Sequence, residues 1–374
     1  MASLRDKLRA VSASGRGRPV QPAPRAEDCF VREETYPLSL FGLPGVLPGE
    51  TLSLMTGQAL PDCGREDLCF LDTETTGLSH GAGTVAFLTG IGYFTGDAFV
   101  VRQYLMRDYD EEAFLLDRVA GHLERSRLLC TFNGASFDLP LLEARYTLQR
   151  MRGQYRERPH IDLLPVSRRV WKLRLKKCNL TNLEEQVLGM ERQDDLPGAL
   201  VPERYFSFLR SRDFSLLEDV LRHNARDIVS LPRILERLMT LHDAPLTASA
   251  GEDVFSLGKI YEKRGRPDRA RMCYRAADAG SLSLLARSRL ADNYRKEGNW
   301  RAAGEVYRKM AAQRQGGAAP LIALAKIAEH REKDISSALE YTRRAIALAA
   351  DRPGSDMQAL QKRYQRLMMK ARKG

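Results

Sequence analysis

Residues 66–107 carry a hydrophobic pattern that is typical of β-strands. Residues 68–71 form a continuous apolar run, and residues 83–94 and 98–107 are two β-rich segments separated by the turn sequence Thr-Gly-Asp. The turn predicts a hairpin, and the apolar run predicts a buried strand. Together the three segments predict an antiparallel meander.

Helical spacing of apolar residues begins after the meander. Residues 111–125 have apolar side chains on one helical face and acidic residues in the first turn, where the helix dipole favours them. A short apolar strand at 128–132 follows, and then a helix that begins near Asp138. Three strands, a helix, a strand and a helix predict an α/β domain in which helices pack on the faces of a mixed sheet.

The segments on either side of this unit are less regular. Residues 29–56 contain short β-like pieces between Pro-Gly turns, which predict a small hairpin that precedes or edges the main sheet. Residues 160–240 are predicted to be mainly helical, as far as a last long helix that carries a His and an Asp. A short linker rich in Pro, Ser, Thr and Gly then marks a boundary, so we predict one domain over 28–243 and another over 252–374.

The second predicted domain contains an internal repeat. Seven small and aromatic positions recur 33 residues later, and a looser third copy follows them. The two clear copies are Leu257, Gly258, Tyr261, Gly265, Ala270, Tyr274 and Ala277, and Leu290, Ala291, Tyr294, Gly298, Ala303, Tyr307 and Met310. This spacing of small and large residues is similar to the tetratricopeptide pattern of stacked helix–turn–helix units. The alternative is a set of unrelated amphipathic helices.

The composition is that of a globular protein with a basic charge. The chain has 374 residues, of which 43% are hydrophobic and 29% charged, and its formal net charge is +11. This charge leads us to expect a polyanionic partner such as nucleic acid. Residues 1–27 combine six Lys or Arg with Ser, Gly, Pro and Ala, a composition that cannot bury enough apolar surface to fold alone. We therefore predict a disordered basic tail there.

The cysteines and the hydropathy of the chain indicate the cellular location of the protein. The six cysteines include no Cys-x-x-Cys pair and several lie in apolar runs, which predicts reduced and buried thiols. Neither a signal-peptide core nor an apolar run of membrane-spanning length occurs. We expect a cytoplasmic protein that does not contact a membrane.

Three acid-bearing stretches are the candidate chemistry. Asp72 and Glu74 follow the apolar run two residues apart, so their carboxylates share one side of the strand end and repel each other. Asp138 begins a helix after Asn-Gly-Ala-Ser-Phe, and His223 and Asp227 share one helical face at a spacing of four. Each stretch has an ordinary alternative, namely a capped strand end, a helix-capping aspartate and a surface His–Asp pair.

Taken together, the three stretches resemble the DEDD exonucleases of the ribonuclease H-like superfamily, and especially its YprB-type domain. The similar sequences are FLDTETTGL, GAGTVAFLTGIGYF, TFNGASFDLPLLEARY, HIDLLPVSRRVW, DLPG and HNARDI, within about residues 28–240. The resemblance implies a ribonuclease H-like mixed sheet flanked by helices, followed here by the helical repeats. It also implies a 3′ to 5′ exonuclease acting on single-stranded DNA or RNA, with two Mg²⁺ or Mn²⁺ ions held by Asp72, Glu74, Asp138 and Asp227.

The same resemblance gives His223 the role of base for the attacking water, with one departure from the pattern. Family members with histidine usually place it five residues before the aspartate, and those with a spacing of four usually have tyrosine. His223 stands at the tyrosine spacing. Asp162 is a candidate fifth acid, which we interpret as structural.

Substrate contacts are predicted in two groups. The candidates are Thr73, Thr75, Asn133, Arg168, Arg169 and Lys172. The first three lie close to the acids in sequence and are predicted to orient the terminal nucleotide. The last three belong to residues 143–177, where 11 Lys or Arg stand against three Asp or Glu, with aromatic residues interleaved. Such a segment is suited to track phosphates and stack bases, and the alternative is a solvated basic helical face.

Two rival functions stay open. One is a nucleic-acid-binding adaptor that keeps the fold, has little or no turnover and recruits a protein through the helical repeats. The other treats residues 72–76 as a degenerate aspartyl-phosphatase loop. Glu74 in place of the second aspartate, and the chain order of the acids, disfavour the phosphatase.

Overall fold

The computed structural model describes residues 28–77, 83–151, 153, 158–192, 195–350 and 357–372. The predicted disordered tail at 1–27 lies outside the described residues. All six cysteines lie inside them, and each is free and buried, which confirms the prediction for the thiols.

A six-stranded mixed sheet is the centre of the first domain. Its strands are β1 Phe30–Pro37, β4 Leu68–Thr75, β5 Ala86–Thr95, β6 Ala98–Leu105, β7 Leu128–Thr131 and β8 His160–Asp162, while β2 Val46–Leu47 pairs with β3 Cys63–Gly64 outside it. The order across the sheet is β1-β6-β5-β4-β7-β8. Neighbours from β1 to β4 are antiparallel, whereas β4, β7 and β8 run parallel. The predicted meander and mixed sheet are therefore confirmed.

Helices flank this sheet and then continue without strands towards the C-terminus. In the sheet domain they are α1 Gly49–Thr56, α2 Glu112–Arg125, α3 Asp138–Leu148, α4 Leu163–Leu175, α5 Leu180–Leu183, α6 Val201–Ser211 and α7 Glu218–Asp243. In the C-terminal region they are α8 Gly251–Lys263, α9 Pro267–Ala276, α10 Ser283–Lys296, α11 Trp300–Ala312, α12 Ala319–Ile327, α13 Ile335–Ala350 and α14 Met357–Ala371. Among the described residues, no helix combines the length and the apolar character needed to cross a bilayer.

The alternation of side chains along β4 defines the two faces of the sheet domain. Leu68 and Phe70 are buried in a core shared with α1, α4 and α7, and Cys69 and Leu71 are buried on the opposite face with α2, α3 and α6. Both faces are covered, which is why this strand is a continuous apolar run in the sequence. The polar residues that follow at the strand end therefore lie between α7 on one face and α3 on the other.

One local prediction is wrong. Residues 50–55, taken as part of a hairpin, lie in α1, which ends at Gly57 with φ +82°. A run this short fits the period of a strand or of a helix, and packing of its apolar side chains against α7 selects the helix. β1 does lie at the edge of the main sheet, but its partner is β6. Residues 160–240 are mainly helical as predicted, and they also contain β8, which has only three residues and so shows no strand period.

The C-terminal helices share a continuous core with the sheet domain. Leu257 of α8 and Trp171 of α4 belong to one buried cluster, and residues 245–247 form a short 3₁₀ turn between the two regions. At the same junction Arg174 of α4 forms an ion pair with the buried Asp253 of α8, with 2.9 Å between Nη2 and Oδ2. The helical region is thus packed onto the sheet domain through side chains as well as through the chain.

Successive C-terminal helices pack on one another along the chain. A Cβ built on Gly258 of α8 would lie 2.7 Å from the ring of Tyr274 in α9, so a residue without a side chain is required there. Ala291 and Tyr307 stand 33 positions later and are both buried. The region is helical as predicted, and its tetratricopeptide-like nature stays a prediction.

Candidate active site

The C-terminal end of β4 carries the acidic pair, and helices from both faces of the sheet reach it. Asp138, the first residue of α3, accepts hydrogen bonds from the backbone N–H (3.1 Å) and the hydroxyl (2.6 Å) of Thr73. From the other face, the amide of Asn224 in α7 donates to Asp72 Oδ2 at 2.9 Å. The strand end therefore holds one carboxylate of its own and one from α3 in fixed positions.

His223 lies beside the two remaining acids, Glu74 and Asp227, at the same strand end. Its Nε2 lies 3.9 Å from Glu74 Oε1 and 3.9 Å from Asp227 Oδ2, so both residues of α7 face the strand end. The His223, Glu74 and Asp227 side chains are only 12–16% exposed, and Asp138 is 4% exposed. The structure thus gathers the five side chains predicted as catalytic, Asp72 included, around one strand end.

The approach of α7 to the sheet depends on a glycine in β5. Gly90 stands opposite Asp72 in the ladder, and a Cβ there would lie 2.2 Å from Asn224 Oδ1. The buried amide of Gln103 on β6 donates to Asn224 Oδ1 (2.9 Å) and to the carbonyl of Leu221 (2.7 Å). These bonds leave the amide nitrogen of Asn224 directed at Asp72.

Burial raises the pKa values of the four acids, and mutual repulsion adds to the rise for Asp72 and Glu74. Burial raises the pKa of Asp72 and that of Glu74 well above the usual range, and the charges of Asp227 and Asp138 raise both further. Burial also raises the pKa of Asp227, against the positive charge beside it. The pKa of Asp138 rises to about 6 through burial, although the hydrogen bonds from Thr73 oppose the rise. A group of carboxyls in this state attracts protons or cations.

Arg192 supplies part of the positive charge that the buried acids attract. Its guanidinium bonds to Asp227 Oδ1 (2.5 Å), Asp195 Oδ2 (2.7 Å) and Glu184 Oε1 (2.7 Å), and its side chain is 8% exposed. The hydroxyl of Ser230 in α7 also donates to Glu184. Burial works against the charged guanidinium, but the three carboxylates hold the pKa of Arg192 well above its usual value.

Asp195 orients the histidine. His223 Nδ1 lies 3.0 and 3.1 Å from the two oxygens of Asp195, which leaves Nε2 turned towards Glu74 and Asp227. Burial would raise the pKa of Asp195, but the hydrogen bonds from Arg192 and His223 bring it below its usual value. His223 is therefore held against the acids even though it stands at the spacing that usually carries tyrosine.

The candidates for nucleotide orientation have different surroundings. The Thr73 hydroxyl is bonded to Asp138, and the Thr75 hydroxyl donates to a backbone carbonyl two residues later at 2.8 Å. Asn133 is exposed in the turn between β7 and α3, with φ +70°, and its backbone N–H donates to Asp162 Oδ1 at 2.8 Å. Of these three side chains, that of Asn133 is the one open to solvent.

Asp162 connects a loop to a helix. Besides the bond to Asn133, its oxygens accept from the backbone N–H of Ala135 (3.2 Å) and of Leu164 (3.0 Å), the latter in the first turn of α4. Three backbone donors on one carboxylate agree with a structural role for this acid.

The predicted basic contacts separate into two environments. Arg168 and Lys172 are exposed on α4, where they line a cleft of about 580 Å³ together with Lys176 and Lys177. Arg169 is partly buried and donates to the carbonyl of Met55 at 2.7 Å, so its guanidinium closes the C-terminal end of α1. The helix turns Arg169 away from the exposed pair.

The donor set suits Mg²⁺ or Mn²⁺, because both ions prefer carboxylate oxygens. In the described part of the chain, however, no three Asp, Glu, His or Cys side chains surround a common point as metal ligands would. Protein donors hold three of the acids instead: Thr73 bonds to Asp138, Asn224 to Asp72, and Arg192 to Asp227. A metal ion has to compete with these donors for the same oxygens.

Comparison with known proteins finds a superfamily to which the sheet domain is similar. Residues 69–239 match the RNase_H superfamily, a stretch that contains all five predicted catalytic residues. This part of the chain, somewhat less than half of its length, is similar to ribonuclease H-like domains, and the similarity points to a nuclease-like or nucleic-acid-related function.

The similarity to one relative extends beyond this domain. The chain is 29% identical to "Uncharacterized protein YprB" of Bacillus subtilis (strain 168), over 92% of this chain and 86% of that protein. Among solved structures, the family B DNA polymerase of the hyperthermophilic archaeon Pyrobaculum calidifontis aligns with a TM-score of 0.38 and 15% identity. That alignment covers 53% of this chain and 29% of the polymerase, so the chain spans less than a third of the polymerase's length.

Proposed function

We propose that this protein is a metal-dependent nuclease that removes nucleotides from single-stranded DNA or RNA in the 3′ to 5′ direction. The observation that carries the proposal is the meeting of Asp72, Glu74, Asp138 and Asp227 at one strand end of a ribonuclease H-like domain. Four buried carboxyls with raised pKa values are costly for a fold unless protons or metal cations neutralise them. Phosphodiester hydrolysis is chemistry that such cations serve.

The four acids are the proposed metal ligands. Bound Mg²⁺ or Mn²⁺ ions supply activation of water and neutralisation of phosphate charge in sites of this kind. The contribution of the chain is to fix the ligands: Asn224 holds the carboxylate of Asp72, and Thr73 holds that of Asp138.

His223 is the proposed base for the attacking water. Its Nε2 faces the acids, and proton transfer to an imidazole is efficient near neutral pH. Asp195 is the proposed positioning residue, because it holds Nδ1 and so fixes which nitrogen faces the substrate. Arg192 in turn holds Asp195 in place.

Nucleotide release from a labelled single strand tests the proposal. The full-length protein is incubated with a 5′-labelled oligonucleotide and Mg²⁺ or Mn²⁺, and a ladder that shortens from the 3′ end is expected. Asp72→Asn and Asp227→Asn should abolish it, whereas Asp117→Asn, at an exposed position of α2, should cleave normally. Release that persists in Asp72→Asn, or no release by the wild-type protein with either ion, would contradict the proposal.

The positioning role of Asp195 has a separate test. Asp195→Asn should lower kcat by roughly 10- to 100-fold while KM stays unchanged, because substrate binding does not use this side chain. Asp195→Glu, which restores a carboxylate, should recover part of the rate. A rise in KM at constant kcat would argue against the role.

One observation favours the adaptor as a second candidate. Arg192 already bonds to Asp227, so an internal cation occupies an oxygen that a metal ion needs. A protein that binds the oligonucleotide but leaves it intact with Mn²⁺ would fit the adaptor and not the nuclease.

We further propose that the C-terminal helices are tetratricopeptide-like repeats. Helix α10 begins 32 residues after α8, and α11 begins 33 residues after α9. The contact between Gly258 and Tyr274 supports the assignment, since small residues against large ones are what such repeats stack.

A further inference from the structure

The charge of the chain is divided unequally between its two regions. Residues 252–374 contain 27 Lys or Arg and 14 Asp or Glu, a formal charge of +13, whereas residues 28–251 contain 26 and 32, a formal charge of −6. The whole chain has a net charge of +11, so the helical region carries more than all of it. On balance the domain with the acid cluster repels a polyanion, and the helical region attracts one.

A cleft in the helical region combines cations with aromatic rings. It has a volume of about 280 Å³ and lies between α10, α11 and α12. The side chains that give it this character are Arg295, Trp300, Tyr307, Lys326, His330 and Arg331. The guanidinium of Arg331 lies 4.2 Å from the centre of the Trp300 ring. We refer to this place as the Trp300 cleft.

Negative charge near the Trp300 cleft is outnumbered. Arg295 forms an ion pair with Asp292 at 3.1 Å. Glu329 is buried beside the cleft, where its side chain is 1% exposed and His330 lies 3.4 Å away. Three cations from α14 bind the same carboxylate, namely Arg363, Arg366 and Lys370. Burial would raise the pKa of Glu329, but these cations lower it to about 2. The positive charge that Asp292 and Glu329 do not neutralise is available to bind a polyanion.

The chemistry of the cleft fits a single strand of nucleic acid better than an acidic peptide. Cations bind the phosphates of a strand, and aromatic rings and guanidinium planes stack its bases. An acidic peptide would use the cations but would give the Trp300–Arg331 pair no planar ring to stack. The Trp300 ring, with the Arg331 guanidinium stacked on it, therefore favours nucleic acid.

The position of the cleft makes such binding useful to the acid cluster. The helical region and the sheet domain share one core and the Arg174–Asp253 ion pair, so they hold a fixed relation. A strand bound in the helical region therefore raises the local concentration of substrate for the acid cluster.

We propose that the Trp300 cleft is a second nucleic-acid-binding site, which holds a single strand by its phosphates and stacks a base on the Trp300–Arg331 pair. The site extends the proposed function from cleavage to retention of the substrate, but it does not depend on turnover.

The test uses full-length protein carrying Asp72→Asn, so that the probe stays intact. A fluorescently labelled oligo-dT is titrated while anisotropy and tryptophan emission are followed. The other tryptophan, Trp171, is 1% exposed, so quenching by the oligonucleotide reports on Trp300. Adding Lys326→Gln and Arg331→Gln should weaken binding by roughly tenfold, because one phosphate contact and the stacking pair are both lost. The slope of log K against log salt should fall by ~0.7, the contribution of the single phosphate contact of Lys326.

The matched control is Lys263→Gln, which removes one exposed charge from α8 outside the cleft. Screening at physiological salt should keep its affinity within roughly twofold of the parent. Binding of the Lys326→Gln, Arg331→Gln variant as tight as that of the parent would overturn the proposal. So would a polyglutamate peptide that competes with the oligonucleotide as strongly as unlabelled oligo-dT does, since the cleft would then fit an acidic protein.

The two proposals can fail separately. If the wild-type protein releases no nucleotides but the cleft binds oligo-dT as described, the nuclease proposal fails and the second site stands. If nucleotides are released and the cleft variants bind normally, the second site alone fails.

Discussion

Replacing Asp138 by asparagine measures how strongly the fold opposes charge in the acid cluster. Burial lifts the pKa of Asp138 from an ordinary value of 3.8 to about 6. One pKa unit corresponds to ~1.4 kcal/mol, so the ionised carboxylate destabilises the metal-free fold by up to ~3 kcal/mol. Asparagine removes the charge and keeps an oxygen that accepts from the N–H and the hydroxyl of Thr73.

The sign of the pH dependence follows from the direction of the shift. The pKa is higher in the folded protein than in the unfolded chain, so the unfolded chain releases this proton first as pH rises. The stability that the Asp138 carboxyl contributes is therefore fully present below its ordinary pKa of 3.8, and it is lost as pH rises through about 6. Metal-free Asp138→Asn should be more stable than the wild-type protein by up to ~3 kcal/mol near pH 8, and the difference should fall below ~1 kcal/mol near pH 4.

Urea unfolding followed by circular dichroism, with EDTA present, checks this expectation. Mn²⁺ should then stabilise the wild-type protein near pH 8 and leave Asp138→Asn nearly unchanged, because a ligand that binds only the folded state adds stability. The control is Asp162→Asn, whose carboxylate accepts three backbone N–H groups and should lose ~1 kcal/mol when one oxygen is replaced. A metal-free Asp138→Asn variant that is less stable than wild type near pH 8 would refute the reasoning, since the surroundings would then favour the ionised acid.

Two glycine substitutions test the packing that positions the site and the helical region. Gly90→Ala should destabilise the protein by ~1–3 kcal/mol in urea unfolding, and should slow nucleotide release, because its Cβ would lie 2.2 Å from Asn224 Oδ1. Gly258→Ala should cause a similar loss of stability, because its Cβ would lie 2.7 Å from the Tyr274 ring. Gly121→Ala in α2, where an added Cβ meets nothing within 4 Å, should stabilise by ~0.5–1 kcal/mol, and equal effects at all three positions would contradict both packing arguments.

The sequence predicts the centre of the sheet well because local pattern and burial agree there. β4 is apolar on both faces, and β5 and β6 are joined by a turn of two residues, so periodicity alone places them. The prediction for α1 is wrong, and β8 is missed, for the opposite reason. Three residues are too few to show a period, and in α1 the tertiary contact with α7 decides between helix and strand.

The acids of the candidate site are recognisable in the sequence because motif spacing carries them. The residues that bond to these acids are harder to recognise in the sequence, because Arg192 and Glu184 meet the cluster only through tertiary packing. Two weak signals exist. Asn224 directly follows His223, and Asp195 lies in the DLPG stretch that contributes to the resemblance. Neither position alone shows which atom its side chain would contact.

Side-chain direction is a further limit of sequence reasoning. Arg168 and Arg169 are neighbours in a basic segment, and composition treats them alike. On α4 they point about 100° apart, as successive residues of a helix do, so one is exposed and the other bonds to the Met55 carbonyl. The number of basic residues in a segment therefore overestimates how many of them are exposed to bind phosphates.

The charges around the acid cluster explain why binding and cleavage would use different parts of this protein. Arg192 shares one positive charge among Glu184, Asp195 and Asp227, so it cannot neutralise Asp72 and Glu74 as well. Burial, together with the negative charge left in the cluster, raises the pKa values of those two acids. A phosphate chain is repelled by such a cluster until cations reverse the local field. An attractive surface elsewhere in the same chain would remove that conflict, and the helical region, with its formal charge of +13, is the proposed one.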